Sequence, residues 1–321
     1  MLASIFPTLW WIYSASTRPY ILIKLWSFLL VQFCFFEYAQ NLQLELLEYF
    51  PIRYISSGLN EPSGLALNRS GSKFYTVSDD TKVVFNLNLQ GKIIANSSFL
   101  IELKDLEGLA VTSDDNVIIA VHESSNSVVH FDITNRKEIR RTPLSAMKNY
   151  DQIVNHFRND DRNKGLEGIT INFNNDHVFI VKEGKPGLLI ELDSECKKIL
   201  NCCELTEECG FKHRRLKSKK LDFSGLSYDH SRDAIWIASD KGECVFQFDW
   251  NQKRVLNCLD LPHHSESPSK RIRKSEGIAF DPLNQRLYIV SDLDCELYIY
   301  QLHDNNEAAT NFDDGCQQRH R

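Results

Sequence analysis

Three glutamates each stand directly before a glycine in a phrase that recurs along the chain: Leu106-Glu-Gly-Leu-Ala110, Leu166-Glu-Gly-Ile-Thr170 and Ser275-Glu-Gly-Ile-Ala279. Two further copies, Glu61-Pro-Ser-Gly-Leu-Ala66 and Phe223-Ser-Gly-Leu-Ser227, carry Ser63 and Ser224 at the glutamate position. Fifteen residues after each glycine stands another acid: Asp79, Glu123, Glu183, Asp240 and Asp292. An acid that closes a repeated strand can cap backbone N–H groups at a turn, and that reading stays open for these five. Glu107, Glu167 and Glu276 are stronger candidates for ligation, because glycine permits close backbone approach and serine would serve a cap equally well. Carboxylates crowded together raise one another's pKa or require a counter-ion. A donor set of oxygens without a histidine at either repeated position favours Ca²⁺, with its six to eight flexible oxygen ligands, over zinc or copper.

The elements that must position these acids follow from the repeat. The glycines fall at 64, 108, 168, 225 and 277, a spacing of about 50 residues that suits propeller blades. Each phrase is followed by a β-rich run ending in the acid, by a third run such as Val128–Phe131, and in four units by a fourth near Lys92–Ile101, Lys137–Arg141, Lys197–Leu205 and Arg254–Leu261. The fifth unit lacks a fourth run, while Tyr49–Ser56 ahead of the first phrase reads as a spare strand. Ring closure reconciles the two: an all-β, five-bladed propeller whose N-terminal strand completes the last blade and removes both open edges. The first strand of a blade lines the channel and the second returns antiparallel beside it. The start of one and the end of the other therefore share a face, and eight carboxylates converge on one channel mouth.

Composition sets the outer limits. With 321 residues, 42% hydrophobic and 25% charged, the chain is an ordinary globular one. A net charge of −6 argues against a nucleic-acid partner, which would need a broad positive field. An apolar run from Leu25 to Phe36 follows Arg18 and Lys24 and precedes Glu37, Glu45 and Glu48. Residues 1–40 thus read as a signal peptide or membrane anchor with the rest of the chain outside; Phe36-Glu-Tyr-Ala39, a poor cleavage site, favours an uncleaved anchor. Residues 41–303 hold the propeller, and 304–321 form a polar C-terminal tail. Eight of the nine cysteines follow the apolar run, which allows disulfides without fixing their connectivity. The spacing of Cys196, Cys202, Cys203 and Cys209 does not match zinc knuckles.

Three insertions, near 144–164, 206–220 and 262–274, fall on the same face as the acids. The first holds Ile153, Val154 and Phe157 at near-helical spacing, which predicts a short amphipathic helix. The other two are basic, and Arg214, Arg215, Arg271 and Arg273 are candidate ligand-binding residues for an anion bridging Ca²⁺ and arginine, although solvated basic loops are the commoner use of such runs. No nucleophile elbow, Walker loop or His-Glu-x-x-His motif is present, so no catalytic residue is assigned. His122, beside Glu123, is the one histidine at a second-strand end.

The glutamate-glycine phrase, the acid fifteen residues later, the five units and the hydrophobic N-terminal segment resemble the SdiA-regulated family of bacterial envelope proteins over about residues 50–303. The resemblance implies a five-bladed propeller with Ca²⁺ in its channel, distantly related to NHL-repeat and phytase propellers, and implies no established activity. The cysteine-rich segment and the insertions depart from it. The resulting expectation is a calcium-binding module at the bacterial inner membrane, facing the periplasm or exterior, that binds an envelope protein or small anionic ligand. The alternative is a metal-dependent hydrolase of phosphate esters or lactones, with Glu107, Glu167 and Glu276 as ligands and Asp79, Glu123, Asp240 or Asp292 as base.

Overall fold

The inner strands of each unit are almost continuously buried, as Val117–His122 and Ala234–Ser239 show, whereas the outer strands Lys137–Pro143 and Arg254–Asp260 alternate exposed and half-buried positions. A sheet covered on both faces needs apolar side chains at every position, and an outer strand only at every second one. The computed structural model describes residues 42–78, 80–158, 165–214, 216, 220–264 and 267–304. Five four-stranded antiparallel sheets form a five-bladed β-propeller.

β1 (Leu42–Pro51) precedes the blades. Blade one contains β2 (Pro62–Leu67), β3 (Lys73–Ser78), β4 (Val83–Asn88) and β5 (Phe99–Leu100). Blade two contains β6 (Leu106–Val111), β7 (Val117–His122), β8 (Ser127–Asp132) and β9 (Lys137–Pro143). In blade three these are β10 (Leu166–Asn172), β11 (His177–Lys182), β12 (Gly187–Leu192) and β13 (Ile199–Leu205). Blade four has β14 (Leu226–Asp229), β15 (Ala234–Ser239), β16 (Cys244–Asp249) and β17 (Arg254–Asp260). After a hairpin of β18 (Pro262–His264) and β19 (Ser267–Arg271), blade five has β20 (Ser275–Asp281), β21 (Arg286–Ser291) and β22 (Glu296–Asp304). Its fourth strand is β1, paired antiparallel with β22 from Leu42↔Asp304 to Pro51↔Glu296. Five apolar clusters, one at each blade interface, hold the ring together.

Ring closure is as expected, but the closing strand is not Tyr49–Ser56. It starts at Leu42, because Leu42, Leu44 and Leu46 alternate toward the blade-four and blade-five core, and Pro51 ends it by lacking a ladder donor. The fourth strand of blade one shrinks to Phe99–Leu100. The helix expected within 144–164 is instead three 3₁₀ turns, Leu144–Ala146, Tyr150–Gln152 and Val154–Phe157. Asn149 sits at φ 66° and interrupts the run, while Ile153 is fully buried in the core between blades two and three. The third insertion forms the β18–β19 hairpin. Among the described residues no helix is long and apolar enough to cross a membrane; the apolar run within 1–40 and the tail beyond 304 lie outside them.

Candidate functional site: a carboxylate-lined channel mouth

The recurring glycines form a closed ring about the channel. A Cβ placed on Gly108 would lie 2.4 Å from the Glu167 carbonyl oxygen, on Gly168 2.5 Å from that of Ser224, and on Gly225 2.5 Å from that of Glu276. Gly277 meets the Leu65 nitrogen at 2.6 Å and Gly64 the Glu107 carbonyl at 2.7 Å, which completes the circuit. Only glycine fits where five innermost strands converge so tightly. The ladder is bulged there: Leu106 pairs with His122 but Leu109 with Ala120, and Leu166 pairs with Lys182 but Ile169 with Ile180. Each Glu-Gly pair therefore faces a single residue of the neighbouring strand, a device that re-aims side chains.

The bulge brings the glutamates into one electrostatic network. Burial holds the Glu167 carboxyl well above its usual range, and the charges of Glu107, Glu123, Glu276 and Glu183 push it further. Burial also raises Glu276 to about 8, helped by Asp240, Asp292 and Asp222 and opposed by Lys274. Glu123 and Asp240 are raised mainly by burial as well. The structure thus brings together Glu107, Glu167, Glu276, Glu123, Glu183, Asp240 and Asp292; Asp79 lies outside the described residues.

The strand-ending acids also stitch the blades. Glu123 Oε1 accepts the Gly165 N–H at 2.9 Å, and Asp240 Oδ1 accepts the Lys274 N–H at 2.7 Å. In each case the donor belongs to the next blade, so these two acids do cap backbone groups. Two carboxylates that the sequence reading did not single out join them, each three residues before a recurring glycine. Asp105 Oδ2 accepts the Ser124 N–H at 2.8 Å, and Asp222 Oδ1 accepts the Lys241 N–H at 2.9 Å. Glu61 occupies the same position in blade one, so the repeat itself held the signal.

Lysines reach several of these acids. On blades four and five, Lys241 Nζ lies 2.7 Å from Asp222 and 3.5 Å from Glu183, and Lys274 pairs with Asp292. On the blade-two side, carboxylate oxygens of Asp105, Glu107 and Glu123 lie within 4.8 Å of one another. Two of these acids are oriented by backbone N–H groups, as metal-ligating carboxylates commonly are. The donor set is oxygen throughout, which suits a hard cation such as Ca²⁺.

The arginines are drawn elsewhere. Arg214 pairs with Asp260 on the outer strand of blade four, and Arg273 with Asp294. Arg271 ends β19, and Arg215 lies outside the described residues. His122 is buried beside Ser125, 2.6 Å from its Nδ1, and burial lowers its pKa. Beneath the mouth, the far end of the channel is a cavity of about 100 Å³ lined by apolar side chains including Leu65, Leu109, Ile169, Leu226 and Ile278.

The structure is similar to Myxococcus xanthus glutaminyl cyclase, with 14% sequence identity and a TM-score of 0.54 over 81% of this chain and 97% of that one. It also matches Kuenenia stuttgartiensis hydrazine synthase, with 13% identity and a TM-score of 0.42 over 72% of this chain and 56% of that one. The β-propeller domain of Cps50 (Swd1) from Myceliophteria thermophila matches at 10% identity and a TM-score of 0.46, over 80% of this chain and 99% of that one. At 14% identity the likeness to the cyclase speaks to the fold and not to chemistry. Comparison with curated protein sequences returned no match. The SdiA-regulated family profile matches residues 43–298, from the closing strand through the last blade, and the chain belongs to the SdiA-regulated family.

Proposed function

We propose that the protein is a calcium-binding propeller module of the bacterial cell envelope that holds a protein or a small anionic ligand across its carboxylate-lined face. The grouping of Asp105, Glu107 and Glu123 carries this reading, with Glu167 in the same network. The carboxylate oxygens of Asp105, Glu107 and Glu123 lie within 4.8 Å of one another, close enough to repel, and a divalent cation among them relieves that repulsion. Envelope placement is supported by the charge pattern around the apolar run before residue 40.

The test is calcium uptake by chelator-stripped protein, followed by titration calorimetry and melting. Binding and a rise in melting temperature are expected. Glu107→Gln should weaken binding at least tenfold and shrink the rise in melting temperature, and Asp292→Asn, whose partner is Lys274, should change either little. Calcium-independent melting together with no measurable heat overturns the proposal.

A second reading, a metal-dependent hydrolase of phosphate esters or lactones, is favoured by one observation. Burial pushes the Glu276 carboxyl up to about 8, and a carboxylic acid protonated near neutrality can act as a general acid. Turnover of phytate, aryl phosphates or lactones that disappears in Glu276→Gln, with calcium uptake retained, would establish it. No turnover across the panel rejects it.

A further inference from the structure

A different donor set lies away from the mouth, on blade four. The ladder pairs Cys244 with Asp260 and Phe246 with Cys258, so the two cysteines sit diagonally on adjacent strands with side chains on one face of the sheet. His213, from the basic insertion, packs over that face: its Nε2 lies 3.0 Å from Asp260 Oδ1, and Arg214 holds the other oxygen of the same carboxylate. A ring nitrogen of His213 and the sulfurs of Cys244 and Cys258 lie within 4.8 Å of one another. Cys244 and His213 are buried, and Cys258 is exposed.

His213 supplies the second observation. Its residue exposure is 7%, and Nδ1 has no hydrogen-bond partner among the described residues. A buried polar atom without a partner costs about 1–3 kcal/mol and calls for an explanation. A metal ion on Nδ1 provides one, since Nε2–H is then donated to Asp260 in the carboxylate–histidine–metal arrangement that fixes the tautomer of a ligating imidazole.

We propose that His213, Cys244 and Cys258 form a second metal site that takes Zn²⁺. Two thiolates and an imidazole are soft and borderline donors, which select Zn²⁺ over the Ca²⁺ preferred by carboxylates. Binding displaces the thiol protons to solvent and leaves both sulfurs as thiolates. A cavity of about 480 Å³ lined by Lys212, His213, Arg214, Cys258 and Asp260 connects the site to solvent. With three protein donors, the fourth tetrahedral position goes to water. Of Cys196, Cys202, Cys203 and Cys209, Cys203 and Cys209 interact with each other, while Cys196 is buried in the blade-two and blade-three core, so the four do not share one site with a histidine. The new site ties the insertion 206–220 to the outer edge of blade four.

The experiment uses the full chain, reduced, chelator-stripped and titrated with Co²⁺ as a spectroscopic substitute. A thiolate-to-cobalt charge-transfer band should saturate at one equivalent, collapse when Zn²⁺ is added and stay unchanged under excess Ca²⁺. Cys258→Ser, at an exposed position that leaves folding intact, should reduce the band by about half or more and weaken binding at least tenfold. His213→Ala should shift its ligand-field region, and Cys203→Ser should leave the spectrum alone. Absence of the band, its persistence in Cys258→Ser, or a Cys244–Cys258 disulfide in protein isolated under alkylating conditions overturns the proposal.

Discussion

At the scale of the residue, the acids of the mouth make stability depend on pH in a direction opposite to that of most carboxylates. A group whose folded pKa lies above its unfolded one stabilises fully below the unfolded value and loses that contribution as pH rises through the folded value. For Glu276 the window runs from the ordinary value of 4.5 to about 8, and Glu167 shifts in the same direction. Chelator-treated protein should therefore melt lower at pH 8 than at pH 5, and Ca²⁺ should restore more at pH 8 than at pH 5. At a hundredfold excess over Kd, a bound ion adds about 2.7 kcal/mol, and each kcal/mol moves the midpoint by about 2–4 °C. Glu276→Gln, neutral and nearly isosteric, should flatten the pH dependence in chelator. A melting profile with the same slope in the variant would remove these carboxyls from the account.

At the scale of the element, the ring of glycines is the most exacting feature. Gly168→Ala places a Cβ 2.5 Å from the Ser224 carbonyl and 2.9 Å from the Leu226 nitrogen. Both are backbone atoms of the next blade and cannot rotate aside, so the loss should reach about 1–3 kcal/mol or more, read as a lower urea midpoint. The close approach was legible in the sequence because the phrase repeats, and so was the convergence of strand-ending acids, since antiparallel pairing forces both ends to one face. Asp105 and Asp222 are harder to read, because the third residue before the glycine is acidic in three units but is Gly165 or Lys274 in the other two. The insertion at 144–164 misled in another way: apolar spacing records which residues turn inward, and Ile153 does, but it does not record the positive φ at Asn149 that breaks the helix. The basic runs gave the number of charges and not their neighbours. Lys241, which belongs to neither run, pairs with Asp222 at 2.7 Å.

At the scale of the whole molecule, closure by β1 decides whether the propeller has edges. In a ring, every blade interface supports the next, and the only covalent break lies within blade five, between β1 and β22. Among the described residues, the ladder, the packing of Leu42, Leu44 and Leu46, the stacked rings of Tyr49 and Tyr298 and the His303–Glu45 pair join the two strands there, all of them non-covalent. Removing residues 1–51 would expose the full length of β22 as an unpaired edge, and such an edge pairs with whatever strand it meets. The truncated protein should self-associate with increasing concentration in light scattering and melt below the full-length chain. The converse test uses Glu45 and Gln301, which sit opposite one another on the two strands. A disulfide between Glu45→Cys and Gln301→Cys would convert the closure into a covalent one and shrink the ensemble available to the unfolded chain. That should raise the melting temperature by an amount worth about 2–4 kcal/mol, reversed by reductant. An oxidised double variant that melts with the reduced one would mean that unfolding starts at another interface, away from the seam.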